Sequence, residues 1–361
     1  MGLVISKIQR NYGGRVMQRI NGDTCHDMLV TGTKGILSYD NTCDYPLWKE
    51  QVHKKLSALL GMDVIAENAC PLYWEVEETT DHEAYRLIRF CYESEKKNFV
   101  PAMLLIPKQN RKSYPLAIVL QGHTTGYHIS VGEKRFDGDE KFFPNSCFAL
   151  QAVENGLAAL CIEQRGMGIT RSHRYPGPGG VHQCSFTAMR AIQLGRTIIG
   201  ERVWDVSRGI DALEKMDLPE IDLQKIMILG NSGGGTAAFY AACLEKRIQY
   251  AAPGCAFCSY KGSILDILHC VCNNIPHASR YFEMEDLACL IAPRPLTVLA
   301  GQKDEIFPLE AVKQSYATVQ KIYDRAGAEN NCKLVVMPEG HFWCPEEAWA
   351  AINEELTQLG W

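Results

Sequence analysis

The amino-acid sequence predicts an α/β protein with a mostly parallel sheet of eight strands and helices on both of its faces. From about residue 84 onward, short runs of aliphatic or β-branched residues alternate with longer segments that have helical periodicity. In the middle of this pattern, one predicted strand leads through a glycine-rich turn directly into a helix. Because parallel neighbours need crossover connections of a dozen or more residues, this alternation favours parallel strands covered by helices.

The predicted strands are short runs in which apolar residues dominate. They span residues 85–91, 99–106, 116–120, 157–162, 226–229, 250–252, 296–300 and 334–337. The polar stretch 93–98 suits a hairpin between the first two strands, whereas the later connections are long enough for helices.

Helical periodicity predicts four helices. They occupy residues 48–60, residues 202–216, the stretch after Ser232 and residues 309–323. The polar side of the second helix, which includes Glu201 and Asp205, favours a solvated surface. For Arg165, a buried ion pair with Asp205 or Glu201 is favoured over a contact with substrate.

Two parts of the chain differ in composition. Residues 84–361 contain the predicted strands and are interpreted as the main domain, which would carry the catalytic residues described below. Residues 1–83 are interpreted as an N-terminal extension packed on that domain. Within the extension, the segment 11–44 is rich in Gly, Asn, Thr and Asp, which is typical of irregular structure.

The composition excludes several classes of partner. The 361 residues include 37 basic and 42 acidic side chains, a net charge of −5, so nucleic-acid binding is not expected. No apolar run reaches the roughly 18 residues that a membrane-spanning helix needs. The first thirty residues lack the uninterrupted apolar stretch of a secretory signal, so export is not expected. We expect a cytoplasmic protein with a small-molecule substrate. Whether it forms a homo-oligomer stays an open question. The 15 cysteines are scattered, which favours reduced thiols.

The most specific motif is Gly-Asn-Ser-Gly-Gly at residues 230–234, between a predicted strand and a predicted helix. A sharp turn of this kind strains the serine backbone and exposes its hydroxyl, and side chains at Gly230 and Gly234 would collide with their surroundings. The helix that starts at Gly233 directs N–H groups and the positive end of its dipole toward Ser232. Ser232 is therefore predicted to be a nucleophile.

A serine nucleophile needs a general base, and the base needs an acid that orients it. Asp304 follows the seventh predicted strand and His341 follows the eighth. Because catalytic groups of open α/β sheets gather at the carboxyl ends of the strands, Ser232, Asp304 and His341 are predicted to converge as a catalytic triad. Their order along the chain is that of the α/β-hydrolase arrangement.

With these motifs the chain resembles the α/β-hydrolase superfamily and, within it, the acetyl xylan esterase-like and dienelactone hydrolase-like serine esterases. The resemblance covers roughly residues 84–361 and includes the segments 98–107, 163–168 and 291–296. It implies the α/β-hydrolase fold and hydrolysis of short-acyl esters, such as acetyl groups on sugars or other small polyols. This mechanism requires neither a metal nor an organic cofactor.

The resemblance also implies an oxyanion hole made of two backbone N–H groups. Gln121-Gly122-His123 stands where the family commonly has a His-Gly pair. The backbone of His123, paired with that of Gly233, is therefore expected to hold the oxyanion. The His123 imidazole has either a structural role or a contact with substrate.

Residues next to these motifs are candidates to line the substrate pocket, namely Tyr127, Phe342 and Trp343. Two other functions stay open. One is an amidase or peptidase of the prolyl-oligopeptidase type, and the other is a hydrolase-like fold that binds ligands without catalysis.

One pattern of cysteine and histidine residues has two interpretations, zinc binding and packing. Cys270, Cys272 and His277 have a spacing that can bind zinc. Small buried cysteines are also common beside apolar residues such as those around Cys270, and this packing role is the favoured one.

Overall fold

A mixed sheet of nine strands organises the part of the chain that the structure, a computed structural model, describes: residues 23–109, 111–174 and 181–361. The strands are β1 (Trp74–Asp81), β2 (Tyr85–Glu95), β3 (Asn98–Pro107), β4 (Tyr114–Leu120), β5 (Ala158–Ile162), β6 (Ile221–Asn231), β7 (Ile248–Gly254), β8 (Leu296–Gly301) and β9 (Cys332–Met337). They stand side by side in the order β1-β2-β3-β5-β4-β6-β7-β8-β9. The pairs up to β3–β5 are antiparallel and the remaining pairs are parallel.

All eight predicted strands are confirmed, and the prediction missed β1. This strand has the sequence WEVEETTD, and most of its residues are exposed. It lies at the edge of the sheet, where charged side chains discourage pairing with another chain. Only Trp74 and Val76 alternate with polar residues, and so short an apolar face does not distinguish a strand from a loop.

The described chain divides into two units between Thr33 and Lys34, and the described part of the first contains helix α1 (Thr24–Gly32). The helices of the second unit are α2 (Tyr45–Leu60), α3 (Met62–Ala66), α4 (Phe148–Glu154), α5 (Val181–Gln193), α6 (Ile198–Met216), α7 (Gly233–Leu244), α8 (Ala288–Ile291), α9 (Leu309–Arg325) and α10 (Pro345–Gln358). The four predicted helices are confirmed as α2, α6, α7 and α9. None of the described helices is long and apolar enough to cross a bilayer.

Each face of the sheet carries its own apolar core. Along β4, Leu116 and Ile118 pack in one core, and Ala117 and Val119 pack in the other. Neighbouring residues of a strand point to opposite faces, so this alternation shows that both faces are covered. The fully buried β4 lies in the middle of the sheet and leads into the loop that forms one wall of the site.

Segments of the predicted N-terminal extension pack on the main sheet. Helix α2 buries Trp48, Val52, Leu56 and Leu60 in one of the two cores. β1 pairs with β2. The boundary at residue 84 stays a prediction, and residues 1–22 of the predicted extension lie outside the described part of the chain.

A buried ionic cluster links α6 to the sheet. Arg165 Nε and Nη2 donate to the two carboxylate oxygens of Asp205 at 2.7 Å each, and Arg165 Nη1 pairs with Glu95 on β2. The predicted ion pair of Arg165 is therefore confirmed. The expectation of a solvated face was wrong for Asp205 and Glu201, which are 1% and 8% exposed, because β2 and Arg165 cover that side of the helix.

We expect Arg165→Met to destabilise the protein by about 3–5 kcal/mol, because the substitution leaves the buried carboxylate of Asp205 without its cation and leaves Glu95 with Arg196 alone. Lys108→Met is the control, since Lys108 pairs with Asp81 at 2.8 Å on the surface and should cost at most about 1 kcal/mol. Urea denaturation measures both free energies of unfolding. Equal effects of the two variants would contradict the proposed contribution of the buried cluster to the free energy of unfolding.

Candidate active site

The turn between β6 and α7 holds Ser232 in a strained conformation with φ +56° and ψ −125°. Glycines surround it because the backbones pack too closely for side chains. A Cβ atom at Gly230 would lie 2.6 Å from the carbonyl carbon of Gly234, and one at Gly234 would lie 2.1 Å from the backbone oxygen of Leu120. The turn therefore has the geometry that the motif predicted, with the serine presented at the carboxyl edge of the sheet.

Ser232, His341 and Asp304 lie in one chain of hydrogen bonds. His341 Nε2 is 2.7 Å from Ser232 Oγ, and His341 Nδ1 is 2.8 Å from Asp304 Oδ2. The three side chains follow the carboxyl ends of β6, β9 and β8, which are neighbouring regions of one sheet edge. With a proton on Nδ1 donated to Asp304, Nε2 is free to accept the serine proton.

Asp304 is held from two directions. Its Oδ1 accepts the backbone N–H groups of Ile306 and Phe307 at 3.0 Å each, while Oδ2 faces His341. Burial alone would raise the pKa of this carboxyl, but the hydrogen bond and charge of His341 together with the two N–H groups lower it. The Phe307 ring stacks on the imidazole with ring centres 5.8 Å apart. Asp304 is therefore an oriented carboxylate at neutral pH.

The loop after β4 lies directly against the Ser232 turn. A Cβ atom on Gly122 would come within 3.1 Å of Ser232 Cβ, and one on Gly233 within 3.1 Å of the His123 ring. The first N–H groups of a helix have no intrahelical acceptor, which leaves that of Gly233 available at the start of α7. The loop that carries His123 therefore lies beside the serine turn, and the role of the His123 and Gly233 backbone N–H groups as oxyanion donors stays a prediction.

Gln121 anchors this loop. Its Nε2 donates to Ser130 Oγ and to the backbone oxygen of Ser146, both at 2.7 Å. Gln121 is buried and ties the loop to two following segments. This role was not predictable, because both partners belong to irregular segments without periodicity.

A cavity of about 630 Å³ opens at Ser232 and His341. Its other lining residues are Gln121, Gly122, His123, Thr124, Lys141, Phe142, Asn145, Ser146, Phe148, Asn231, Phe342 and Trp343. The lining combines aromatic rings with an ammonium group, amides and hydroxyls. It therefore offers apolar walls and hydrogen-bonding groups for a small polar molecule.

Two of the three candidate pocket residues line this cavity. Phe342 is 66% exposed, whereas Trp343 is buried and its Nε1 donates to Gln151 Oε1 at 3.1 Å. Tyr127 does not line it. The Tyr127 ring is buried elsewhere, with the guanidinium of Arg135 above it at 5.6 Å.

The cysteine pattern assembles differently from the prediction. Cys270 and Cys272 meet His123 and Cys184, and the ligand atoms of these four residues lie within 4.8 Å of one another. His277 is exposed and does not belong to this group. Cys184 and His123 come from distant segments without any metal-binding spacing, so local sequence patterns could not identify them.

The architecture is that of the α/β-hydrolases, and comparisons with known proteins place the chain beside esterases of this fold. A family model described as "Glucuronyl esterase, fungi" matches residues 196–257, which include β6 and the Ser232 turn. The Bacillus subtilis (strain 168) protein named "Putative hydrolase YtaP" is 24% identical over 246 residues, which cover 67% of this chain and 78% of that protein.

Solved structures share the fold at low sequence identity. A "putative acetyl xylan esterase" of Bacteroides fragilis NCTC 9343 has a TM-score of 0.77 and 15% identity, covering 94% of this chain and 96% of its own. A glucuronoyl esterase of Solibacter usitatus has a TM-score of 0.62 and 14% identity, covering 90% and 98%. An acetyl xylan esterase of Paenibacillus sp. R4 has a TM-score of 0.56 and 19% identity, covering 91% and 98%. The predicted resemblance to acetyl xylan esterase-like proteins is thereby confirmed.

Proposed function

We propose that the protein is a serine carboxylester hydrolase that removes short acyl groups from small molecules such as acetylated sugars. The observation that carries this proposal is the hydrogen-bond chain from Ser232 through His341 to Asp304, which lies at the cavity of about 630 Å³. Proteins that share the fold are named acetyl xylan esterase, glucuronoyl esterase and methylesterase, which supports ester hydrolysis as the class of reaction.

The first half of the reaction forms an acyl-enzyme. Ser232 Oγ attacks the ester carbonyl while His341 Nε2 takes its proton. The carbonyl oxygen becomes an oxyanion, to which the backbone N–H groups of His123 and Gly233 donate hydrogen bonds. Asp304 keeps the imidazole oriented and stabilises its positive charge. The tetrahedral intermediate collapses when His341 gives the proton to the leaving alcohol.

The second half releases the acid. Water enters where the alcohol left, His341 removes its proton, and the hydroxide equivalent attacks the acyl carbonyl. Collapse of the second tetrahedral intermediate returns the proton to Ser232 Oγ and frees the carboxylic acid. The reaction needs no group beyond these side chains, the two backbone donors and water.

The cavity lining supports a small, hydroxylated alcohol and a short acyl group. Lys141, Asn145 and Ser146 contribute residues with an ammonium, an amide and a hydroxyl to the lining. Such groups bind sugar or polyol hydroxyls. Trp343 and Phe148 supply apolar surface in the same cavity, with ring centres 5.1 Å apart.

We expect acetyl and propionyl aryl esters to be cleaved with a kcat/KM at least about tenfold above that of octanoyl esters, since a long acyl chain that covers Lys141, Asn145 and Ser146 would desolvate these groups without pairing them. The measurement is a turnover series from acetyl to decanoyl with one common leaving group. A kcat/KM that rises steadily with chain length would contradict the preference.

The same assay separates the alternative functions. Acetylated sugars, a methyl glucuronate ester and an aminoacyl anilide extend the series, and each reports on one class of substrate. Faster cleavage of the anilide would favour an amidase or peptidase, and no turnover of any substrate would favour a ligand-binding protein. The cytoplasmic location and the oligomeric state stay predictions that cell fractionation and light scattering can test.

A further inference from the structure

Four potential metal ligands meet beside the proposed oxyanion loop. Cys184 lies in α5, Cys270 and Cys272 belong to the long segment after β7, and His123 follows β4. The three cysteines are buried, and all four ligand atoms lie within 4.8 Å of one another. Three distant parts of the chain therefore bring soft ligands to one point in the interior.

The spacing suits a single tetrahedral ion. With metal–sulfur bonds of about 2.3 Å, the edges of a regular tetrahedron are about 3.8 Å long. The His123 Nε2 to Cys272 Sγ distance is 3.4 Å, close to such an edge. Three thiolates and one imidazole are a ligand set typical of structural zinc, and four protein ligands leave no open position for substrate.

A buried positive charge next to the cluster also favours a bound metal. Arg202 is 2% exposed, and its Nη2 lies 3.1 Å from Cys184 Sγ and 2.8 Å from the backbone oxygen of Arg165. Nearby Arg165 and Arg196 have carboxylate partners, whereas no carboxylate of the described chain pairs with Arg202. Zn²⁺ with three thiolates carries one negative charge, which would neutralise this buried cation.

We propose that His123, Cys184, Cys270 and Cys272 bind one structural Zn²⁺. A disulfide would use only two of the three thiols and would leave the third beside the imidazole. The zinc fastens α5 and the segment after β7 to the loop after β4. The consequence for catalysis rests on the proposed function: zinc makes His123 a positioning residue as well as a backbone donor, because it fixes the loop that carries that N–H.

The first test is the metal content of the full chain, expressed with added zinc and purified under reducing conditions without chelator. Elemental mass spectrometry should find about one zinc ion per chain. Cys272→Ser should bind zinc at least about tenfold more weakly. Cys258→Ser is the matched control, since Cys258 is also buried but lies outside the cluster. It should keep the zinc.

The second test uses the unmodified chain, so it does not depend on the folding of variants. A mercurial reagent that caps thiols should release zinc in proportion to the cysteines titrated, and Co²⁺ in place of zinc should give the intense visible absorption of a tetrahedral thiolate site. A chain with less than about a tenth of a metal ion under these conditions would overturn the proposal. A disulfide within the cluster, seen as a mass loss of two hydrogens, would also overturn it.

The two proposals can fail separately. Ser232→Ala should keep its zinc while it loses turnover, so zinc binding is measured without reference to activity. The positioning role predicts that zinc loss in Cys272→Ser lowers kcat while KM changes little, because the loop supports the transition state more than the bound ester. A KM that rises with kcat unchanged would overturn the positioning role. The existence of the metal site would then still be decided by the measured zinc content.

Discussion

Ser232→Ala should lower kcat on a short-acyl aryl ester by about 10⁴-fold or more while the fold is kept. The hydroxyl lies 2.7 Å from His341 Nε2, and no other group at that position can form the acyl-enzyme. Alanine is smaller than serine and can adopt the strained turn at a similar cost, so the loss should come from chemistry and not from unfolding.

The measurement is steady-state hydrolysis together with thermal unfolding, to show that the variant is folded. Ser57→Ala, a half-buried serine of helix α2 away from the site, is the control and should keep its activity. Labelling by a serine-directed phosphonate should disappear in Ser232→Ala only. Retention of more than about a tenth of the activity, or labelling that persists, would mean that another residue is the nucleophile.

The site could be predicted where its residues follow the ends of strands. Ser232, Asp304 and His341 each come within a few residues of a strongly apolar strand, and the parallel sheet brings such ends together. Phe342 and Trp343 lie in the cavity because they adjoin His341 in the chain. Tyr127 has the same proximity to a motif, but it lies in a turn of 3-10 helix that directs it into the protein.

What the prediction missed depends on contacts between distant segments. His277 was chosen for its closeness to Cys270 in the chain, whereas the structure places Cys184 and His123 there. The expected polar face of α6 was wrong for Asp205 because an amphipathic pattern does not reveal a buried arginine on another segment. Such pairings follow from tertiary packing, and neither spacing nor periodicity encodes them.

The acid of the triad can be separated from its acidic neighbours by three amide substitutions. Asp304→Asn should lower kcat by roughly 10⁴-fold, because an amide keeps the shape but favours the wrong tautomer of His341. Oδ1 of Asp304 is already held by two backbone N–H groups, so the amide nitrogen would be directed toward His341 Nδ1, where it cannot accept the ring proton. The imidazole then loses both its orientation and the charge that stabilises its protonated form.

Glu305→Gln and Glu339→Gln are the matched controls and should each cost no more than about tenfold, since neither carboxylate belongs to the hydrogen-bond chain. Both residues are exposed, although Glu305 adjoins Asp304 and Glu339 lies two residues before His341. The readout is kcat with the same ester, with circular dichroism to show that each variant is folded. If Asp304→Asn stays active and either glutamate variant is crippled, the acid is misassigned and the loop after β8 must hold His341 differently.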